Sequence, residues 1–445
     1  MTAVPSRVRR AVQLLRSPAA VYLVASVVGR IGSIVLIPLY TRRLSSTDYG
    51  TYGLALTLLS LLPLCLSCGL TAGLTKEFYD APNPEAARAR VGSIAKGMLL
   101  VSSILATLLA VVIILFLPDG IGALSKRQLL LVDAAAVGTC ASFVPDSFLR
   151  AAQRPRPVVA LQLGMFAVST GLGIFLVAGL DRGVDGAIEA ASGTAVLSGV
   201  IGVLFTVFYL GGEDVLKTTR RVLGFSIAFV PHFIASWAQD VGDRWLLSTY
   251  GGGRALGPYY LAGQMLSPVP MVVASWNSSE NPRVGEVYRA GGLRAVLADV
   301  KRQYRSYGLA ALVPALGIVV ASPLVAPFIG AELRGALTLL PFLALAYVID
   351  ALYYPGANTI FYTGRSRAIP ITTALSAGTG LLVAYFMLRA YGLAGLVAAR
   401  VVTSTLRATL IGAAARLTST ASLRDPAKAD APAEASAETP AERAS

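Results

Sequence analysis

The chain has 445 residues, of which 55% are hydrophobic and only 14% are charged. Soluble globular domains carry about 25% charged residues, so this composition excludes an ordinary soluble enzyme or binding domain. The formal net charge is +14, but the basic residues are spread between apolar runs. This placement argues against a nucleic-acid partner and is typical of a membrane protein, which uses such charges for orientation.

Apolar runs close to 20 residues recur along the chain, and a helix of this length crosses about 30 Å of hydrocarbon. We therefore predict an all-α polytopic membrane protein with about 12 transmembrane helices. The predicted spans are Ala19–Tyr40, Gly50–Gly69, Gly97–Leu117, Leu129–Phe148, Pro157–Gly179, Ala187–Leu210, Phe225–Leu247, Pro258–Trp276, Tyr307–Ile329, Ala336–Phe361, Ile369–Arg389 and Ala394–Ala415.

The distribution of Lys and Arg predicts the orientation of these spans. The odd-numbered segments outside the membrane hold 26 basic residues, whereas the even-numbered segments hold 8. Cytoplasmic segments are the richer in Lys and Arg, so both termini are expected in the cytoplasm. The usage rich in Ala, Gly, Val and Arg hints at a GC-rich bacterium, so a bacterial cytoplasmic membrane is expected. The predicted regions are a basic N-terminus (1–18), an N-lobe of six helices (19–210), a cytoplasmic linker (211–224), a C-lobe of six helices (225–415) and a disordered cytoplasmic tail (416–445).

The two predicted lobes share a short motif. Gly50-Thr51-Tyr52-Gly53-Leu54-Ala55 and Gly257-Pro258-Tyr259-Tyr260-Leu261-Ala262 both read G-x-Y-x-L-A, and each lies between two apolar runs. The pattern indicates an internal repeat whose halves have the same topology, with a cavity expected between them. Tyrosines at the span ends, such as Tyr40 and Tyr49, are interpreted as interfacial anchors, with sugar stacking as the alternative.

Charged residues inside predicted spans are the candidate functional residues, because a charge at the bilayer centre costs roughly 2.5–3.5 kcal/mol on insertion scales. Asp240 and Arg244 are four residues apart, a spacing at which they can pair on one helix face. Arg400 and Arg407 are seven residues apart, so they share a face. The candidate substrate-binding residues are Arg30, Arg244, Arg400 and Arg407, and the candidates for ion coupling or helix pairing are Asp240, Asp243 and Asp350.

Two interpretations of these charges stay open. In the first, the acids and bases pair with one another and hold the helices in register. In the second, the arginines line a cationic cavity for an anionic substrate, because a guanidinium can hold phosphate oxygens with two hydrogen bonds.

No motif for catalysis, a metal or a cofactor stands out. Cys65 and Cys68 have the spacing of a metal or redox pair, but they lie in an apolar run without a nearby histidine, so packing roles are predicted. Gly251-Gly252-Gly253 is not followed by Lys-Ser or Lys-Thr and is interpreted as a turn. We predict that the protein is not an enzyme.

Two phrases carry a family resemblance. Thr41-Arg42 through Tyr49-Gly50-Thr51-Tyr52 resembles the T-R-x-L-x-x-x-x-Y-G-x-Y phrase of the Wzx-type flippases, the polysaccharide transporters of the multidrug/oligosaccharidyl-lipid/polysaccharide exporter (MOP) superfamily. Asp243-Arg244 with Gly257–Ala262 is similar to a second phrase of that family. The resemblance implies a MATE-like helical bundle and movement of a polyprenyl-diphosphate-linked oligosaccharide between leaflets by alternating access, driven by H⁺, Na⁺ or the membrane potential.

The resemblance also implies roles for residues and partners. Arg30, Arg400 and Arg407 would contact the diphosphate, and Asp243 or Asp350 would carry a coupling proton. Partners would be the lipid-linked oligosaccharide, membrane lipids and polymerase or glycosyltransferase machinery. The alternatives are an ion-coupled multidrug or metabolite antiporter of the same superfamily and a non-transporting scaffold of a glycan assembly complex.

Overall fold

A computed structural model describes residues 36–424 except 213, 228, 229, 364, 366 and 367. All regular elements in this part of the chain are helices. They are α1 (Ser46–Leu66), α2 (Leu70–Tyr79), α3 (Pro84–Phe116), α4 (Lys126–Ala151), α5 (Pro155–Gly173), α6 (Gly183–Phe205), α7 (Val215–Ser226), α8 (Val230–Tyr250), α9 (Gly253–Met265), α10 (Pro268–Val325), α11 (Gly335–Ala351), α12 (Tyr353–Phe361) and α13 (Ala368–Arg424). Short π-helical turns, Ile174–Gly179 and Thr206–Leu210, extend α5 and α6.

Polar residues between the apolar runs determine where several helices begin. The Ser45 hydroxyl accepts a hydrogen bond from the Asp48 amide at the start of α1. Ser125 and Gln128 form a reciprocal capping box at the start of α4. Such caps satisfy backbone N–H groups that have no partner inside the helix, so they stabilise these ends.

Eight continuous helical stretches in the described residues are long and apolar enough to cross a membrane. The chain is therefore a multi-pass helical membrane protein. Two of the stretches, 253–328 and 368–423, have 76 and 56 residues. Both far exceed the roughly 20 residues that one crossing needs, and both are bent at a glycine in the left-handed region, Gly292 (φ 62°) and Gly392 (φ 61°).

The chain divides into two compact units. The first unit contains the chain up to Trp237, together with Leu247–Leu261 and Ala326–Gly335. The second unit contains Ala238–Leu246, Ala262–Val325 and the chain from Ala336 onward. The division into an N-lobe and a C-lobe at residues 211–224 stays a prediction.

In the first unit, α4 and α6 approach each other through glycines. A Cβ atom on Gly199 would lie 2.4 Å from the Cα of Gly138, and one on Gly202 would lie 2.2 Å from the carbonyl oxygen of Ala141. Small residues at helix contacts allow close backbone packing, which replaces the hydrophobic driving force that lipid does not supply. The sequence Gly199-x-x-Gly202 thus sets the distance between these two helices.

We expect Gly202→Ala to destabilise the protein by about 1–3 kcal/mol, because the added methyl group overpacks the α4–α6 contact. Gly171→Ala is the matched control, since nothing lies within 4 Å of a Cβ at that helical position. Thermal unfolding of the purified protein, followed by fluorescence-detected gel filtration, measures both. Equal melting temperatures for the two variants would contradict the tight contact.

In the second unit, the segment between the predicted spans Pro258–Trp276 and Tyr307–Ile329 is held by ion pairs. The buried Glu280 carboxylate accepts hydrogen bonds from Arg283 at 3.0 Å and from Arg302 at 2.6 Å. Asp299 pairs with the same two arginines. This network joins the two arms of α10 on either side of the bend at Gly292.

The structure corrects the start of the predicted disordered tail. Helix α13 continues to Arg424, so residues 416–424 are helical. Ser419 and Ser422 are buried, and the Ser422 hydroxyl donates to the carbonyl of Thr363 at 2.7 Å. The small Ser and Thr side chains pack here, which a criterion based on apolar content missed. Residues 425–445 lie outside the described residues.

Candidate functional site

Five charged residues from the predicted spans of the second unit meet at one cavity of about 210 Å³. Helical spacing explains the meeting, because residues three, four or seven apart lie on the same helix face. Helix α8 contributes one pair of charged side chains, α11 contributes Asp350, and α13 contributes two arginines. The charged lining residues are Asp240, Arg244, Asp350, Arg400 and Arg407, and Tyr347 and Tyr354 also line the cavity.

Asp350 lies between the two arginines of α13. Its carboxylate is 3.4 Å from a guanidinium nitrogen of Arg400 and 3.8 Å from one of Arg407. Arg407 also lies 3.7 Å from the carboxylate of Asp240. The two interpretations from the sequence therefore combine, since the arginines line a cavity and pair with acids in the same place.

The two arginines differ in how well they are satisfied. Arg400 is buried, with a side chain 9% exposed, and it also donates to the main-chain carbonyl of Gln239. Arg407 stacks on the ring of Tyr353, with its guanidinium carbon 4.3 Å from the ring centre. The Nε–H group of Arg407 is buried and has no hydrogen-bond acceptor in the described residues. An unsatisfied buried donor is costly, and an acceptor that reached this group would remove that cost.

The acids of the cavity also differ. The side chain of Asp240 is 58% exposed, whereas that of Asp350 is 15% exposed. Oδ1 of Asp350 is buried and makes no hydrogen bond in the described residues. Asp350 thus accepts one long hydrogen bond, from Arg400 at 3.4 Å, whereas Arg407 attracts it by charge across 3.8 Å without a hydrogen bond.

Asp243 lies at a neighbouring space. It lines a cavity of about 20 Å³ that Gln239, Thr403 and Arg400 also line. Among the described residues, only Arg400 lines both cavities. A space of this size accommodates about one water molecule or a small ion.

Arg30, predicted to contact substrate, lies outside the described residues. Asn358 follows Asp350 closely in the sequence but belongs to a separate cluster, where its amide donates to the Tyr307 hydroxyl at 3.0 Å. Sequence reasoning missed Gln239, which is buried and accepts a hydrogen bond from Ser376 at 3.2 Å. Its position directly before Asp240 in an apolar span was the available signal.

In the first unit, the two copies of the G-x-Y-x-L-A motif pack against each other. A Cβ on Gly53 would lie 2.4 Å from the ring of Tyr260, and one on Gly257 would lie 2.2 Å from the carbonyl oxygen of Ser46. The rings of Tyr49 and Tyr52 lie 5.9 and 6.4 Å from that of Tyr260. The motif is therefore a contact between α1 and α9.

The same contact corrects the interpretation of the tyrosines as interfacial anchors. Tyr40, Tyr49, Tyr52, Tyr259 and Tyr260 are all buried, with exposed fractions between 1% and 8%. Edge-to-face packing among their rings holds the cluster together. Position near a span end predicts an anchor only when the ring faces lipid, and the glycines of the motif instead allow a second helix to cover these rings.

We expect Gly53→Ala to destabilise the protein, because its methyl group collides with the Tyr260 ring. The variant Tyr260→Ala makes room for that methyl group, so the double variant should be more stable than the sum of the two changes predicts, by about 0.5–3 kcal/mol. Melting temperatures of the four proteins in the cycle measure this coupling. Strict additivity would show that the glycine and the ring do not touch.

The sequence profile of a family described as "Polysaccharide biosynthesis protein" matches residues 15–286. No curated protein matches the sequence at a significant level.

Several solved structures have the same fold. An inward-facing multidrug resistance MATE family transporter of the MOP superfamily aligns over 89% of this chain and 99% of its own, with a TM-score of 0.67 and 17% identity. The lipid II flippase MurJ aligns over 90% of both chains, with a TM-score of 0.69 and 14% identity. A MOP superfamily transporter from Pyrococcus furiosus aligns over 93% and 98%, with a TM-score of 0.52 and 16% identity. The TM-scores establish a MATE- and MurJ-like fold. Sequence identities this low leave the substrate to be argued from the site.

Proposed function

We propose that the chain moves a lipid-linked glycan across the bacterial cytoplasmic membrane. It belongs to the polysaccharide biosynthesis protein family, which is a family of transporters rather than enzymes. The substrate class is a polyprenyl-diphosphate-linked oligosaccharide, and the process is alternating access. About twelve helices in two lobes of six, with both termini in the cytoplasm, form the transporter. The observation that carries the proposal is the cavity lined by Arg244, Arg400 and Arg407, together with the buried Nε–H group of Arg407, which has no acceptor in the described residues.

The arginines of the cavity supply the binding chemistry for a diphosphate. Arg400, Arg407 and Arg244 bring planar groups of donors to one space, and such groups match the geometry of phosphate oxygens. With Asp240 and Asp350 ionised, these five side chains carry a net charge of +1. A cavity of about 210 Å³ is smaller than the roughly 300–1,000 Å³ of pockets that enclose drug-sized ligands. This size suits the diphosphate, while the glycan and the polyprenyl chain would lie outside the cavity.

Asp350 is the candidate residue for ion coupling. As a carboxylate it competes with a diphosphate for Arg400 and Arg407, because it lies within 4 Å of both. A coupling cation that neutralised this carboxylate would end the competition and free the two guanidinium groups for an anion. Ion binding and substrate binding would then favour each other, and by linkage the effect is reciprocal.

The function is tested in cells that lack this protein. Lipid-linked oligosaccharides are quantified by mass spectrometry, and their leaflet is determined by their accessibility to a glycan-cleaving enzyme in the periplasm. Accumulation of complete units on the cytoplasmic side, reversed by the wild-type gene, is the expected result. Unchanged pools and unchanged surface glycan, in a strain without a second transporter of this kind, would contradict the proposal.

A second candidate function is an ion-coupled antiporter for cationic compounds. The exposed carboxylate of Asp240 in the cavity favours it, because a cation would approach this acid more readily than a paired one. Sensitivity of the deletion strain to cationic dyes, with normal lipid-linked glycan pools, would support this function over the first.

A further inference from the structure

The turn that follows α6 carries a tyrosine whose ring is fixed by aromatic packing. Tyr209 lies in the π-helical turn Thr206–Leu210, a wider turn of a kind that often occurs at functional sites. Its ring packs against Phe205 at 4.9 Å and against Phe148 at 5.8 Å, measured between ring centres. The phenol oxygen of Tyr209 is therefore held in a defined place in the first unit.

Two arginines from different helices converge on this oxygen. Arg88, in the first turns of α3, donates from Nη2 at 3.2 Å, and Arg154, at the start of α5, donates from Nη1 at 3.3 Å. The guanidinium of Arg88 also lies over the Tyr209 ring, 4.7 Å from its centre. A phenol oxygen has room for two donors, so one neutral acceptor brings two positive charges together.

No carboxylate lies within 4.0 Å of Arg88 or Arg154 in the part of the chain that the structure describes, which omits Glu213. Other arginines of the first unit do have acidic partners. Arg221 lies 2.8 Å from Glu77, and Arg150 lies 2.8 Å from Asp146. Like charges this close repel each other, and a neutral phenol offsets the repulsion only in part. An anion bound between the two guanidinium groups would offset it fully.

We propose that Arg88, Arg154 and Tyr209 form a binding site for a phosphate group, separate from the residues of the second-unit cavity. Each arginine has further N–H donors beyond the one that Tyr209 accepts, and paired donors on a planar group fit phosphate oxygens. Arg88 is half-buried and Arg154 is exposed, so a ligand can reach both. The segments that carry them are predicted to be cytoplasmic, where anionic phospholipid headgroups and free phosphate both present this chemistry.

The experiment uses the purified full-length chain in detergent and native mass spectrometry. Dioleoyl phosphatidylglycerol is titrated as the anionic lipid and dioleoyl phosphatidylcholine as the neutral one, each with and without inorganic phosphate. The wild type is expected to bind phosphatidylglycerol more tightly than phosphatidylcholine. Arg88→Gln and Arg154→Gln should each weaken the tightest phosphatidylglycerol site about tenfold, as expected for the loss of one charge-assisted hydrogen bond.

The arms of the experiment separate the two sources of phosphate. If inorganic phosphate displaces phosphatidylglycerol from the wild type, the site also takes free phosphate; if it does not, the site is specific for a lipid headgroup. Either result supports the phosphate site. Equal binding of phosphatidylglycerol and of inorganic phosphate by the wild type and the Arg88→Gln/Arg154→Gln variant would overturn it.

Two further variants keep the test independent of folding. Tyr209→Phe retains the aromatic packing but removes the shared acceptor, so it should weaken lipid binding less than the loss of an arginine. Arg43→Gln removes an exposed arginine that pairs with Asp181 at 3.3 Å, and it should leave the tightest site unchanged. Lipid binding is compared only among variants whose melting temperature and gel-filtration profile match those of the wild type. If Arg43→Gln weakens the tightest site as much as Arg88→Gln does, the effect is general charge and the proposal fails.

Discussion

Cells that carry Arg400→Gln/Arg407→Gln in place of the wild type are expected to accumulate complete lipid-linked oligosaccharides in the cytoplasmic leaflet. Both arginines line the cavity, and Arg407 has a buried donor without an acceptor in the described residues. A hydrogen bond to a charged group contributes about 1.5–3 kcal/mol. Loss of both arginines should therefore lower the rate of delivery to the outer leaflet by about 100-fold or more. The leaflet assay described above measures this rate.

A loss of folding must be separated from a loss of binding in this experiment. Removing both arginines leaves Asp350 without its positive partners, and an uncompensated buried charge costs about 3–5 kcal/mol. The charge-balanced variant Arg400→Gln/Asp350→Asn removes one acid with one base and should fold more stably than Arg400→Gln alone. If a variant without these arginines reaches the membrane in normal amounts and restores normal export, the arginines do not bind the substrate.

The second large effect concerns Asp350→Asn. This variant removes the carboxylate that competes for Arg400 and Arg407, so it should bind a diphosphate about tenfold or more tightly than the wild type does. A contact to a charged group is worth about 1.5–3 kcal/mol, which corresponds to a factor of ten or more in affinity. Calorimetric titration of geranyl diphosphate into both purified proteins, at one pH, measures the difference.

All proteins are titrated at the same pH, so the ionisation of the diphosphate is the same in every comparison. Asp240→Asn is the matched control, since Asp240 lies at the same cavity but contacts only Arg407 among the two arginines of α13. This variant should bind the diphosphate with an affinity closer to that of the wild type. If Asp350→Asn binds geranyl diphosphate no more tightly than the wild type does, Asp350 does not compete with the substrate for the arginines.

Several features of the site could be predicted from spacing alone. The i,i+4 spacing of Asp240 and Arg244 and the i,i+7 spacing of Arg400 and Arg407 place each pair on one helix face, and all four line the same cavity. Asp350 could be singled out because a charge in an apolar span is costly. Which acid lies beside which base could not be predicted, because it depends on how separate helices pack. Asp350 thus pairs with arginines 50 and 57 positions later in the chain.

Less could be predicted about the G-x-Y-x-L-A motif from the sequence. Its two copies could be recognised from the letters, and their glycines indicated some close approach. Their contact with each other, across 207 positions, could not be read from the sequence. The rings of Tyr49 and Tyr260 are buried because α9 packs on α1, and position near a span end carries no information about this.

The amino-acid sequence by itself determined the class of this protein, since apolar runs of spanning length leave the membrane as the only solvent that suits them, and hydrogen bonding within each run makes it helical. The same sequence identified the charged residues of the spans, because their cost in lipid makes them rare. Only the tertiary structure decided which of these residues share a cavity and which of their polar atoms are satisfied. Such contacts join residues far apart in the chain and depend on how separate helices pack, as the close approaches at Gly53 and Gly202 in the first unit also do.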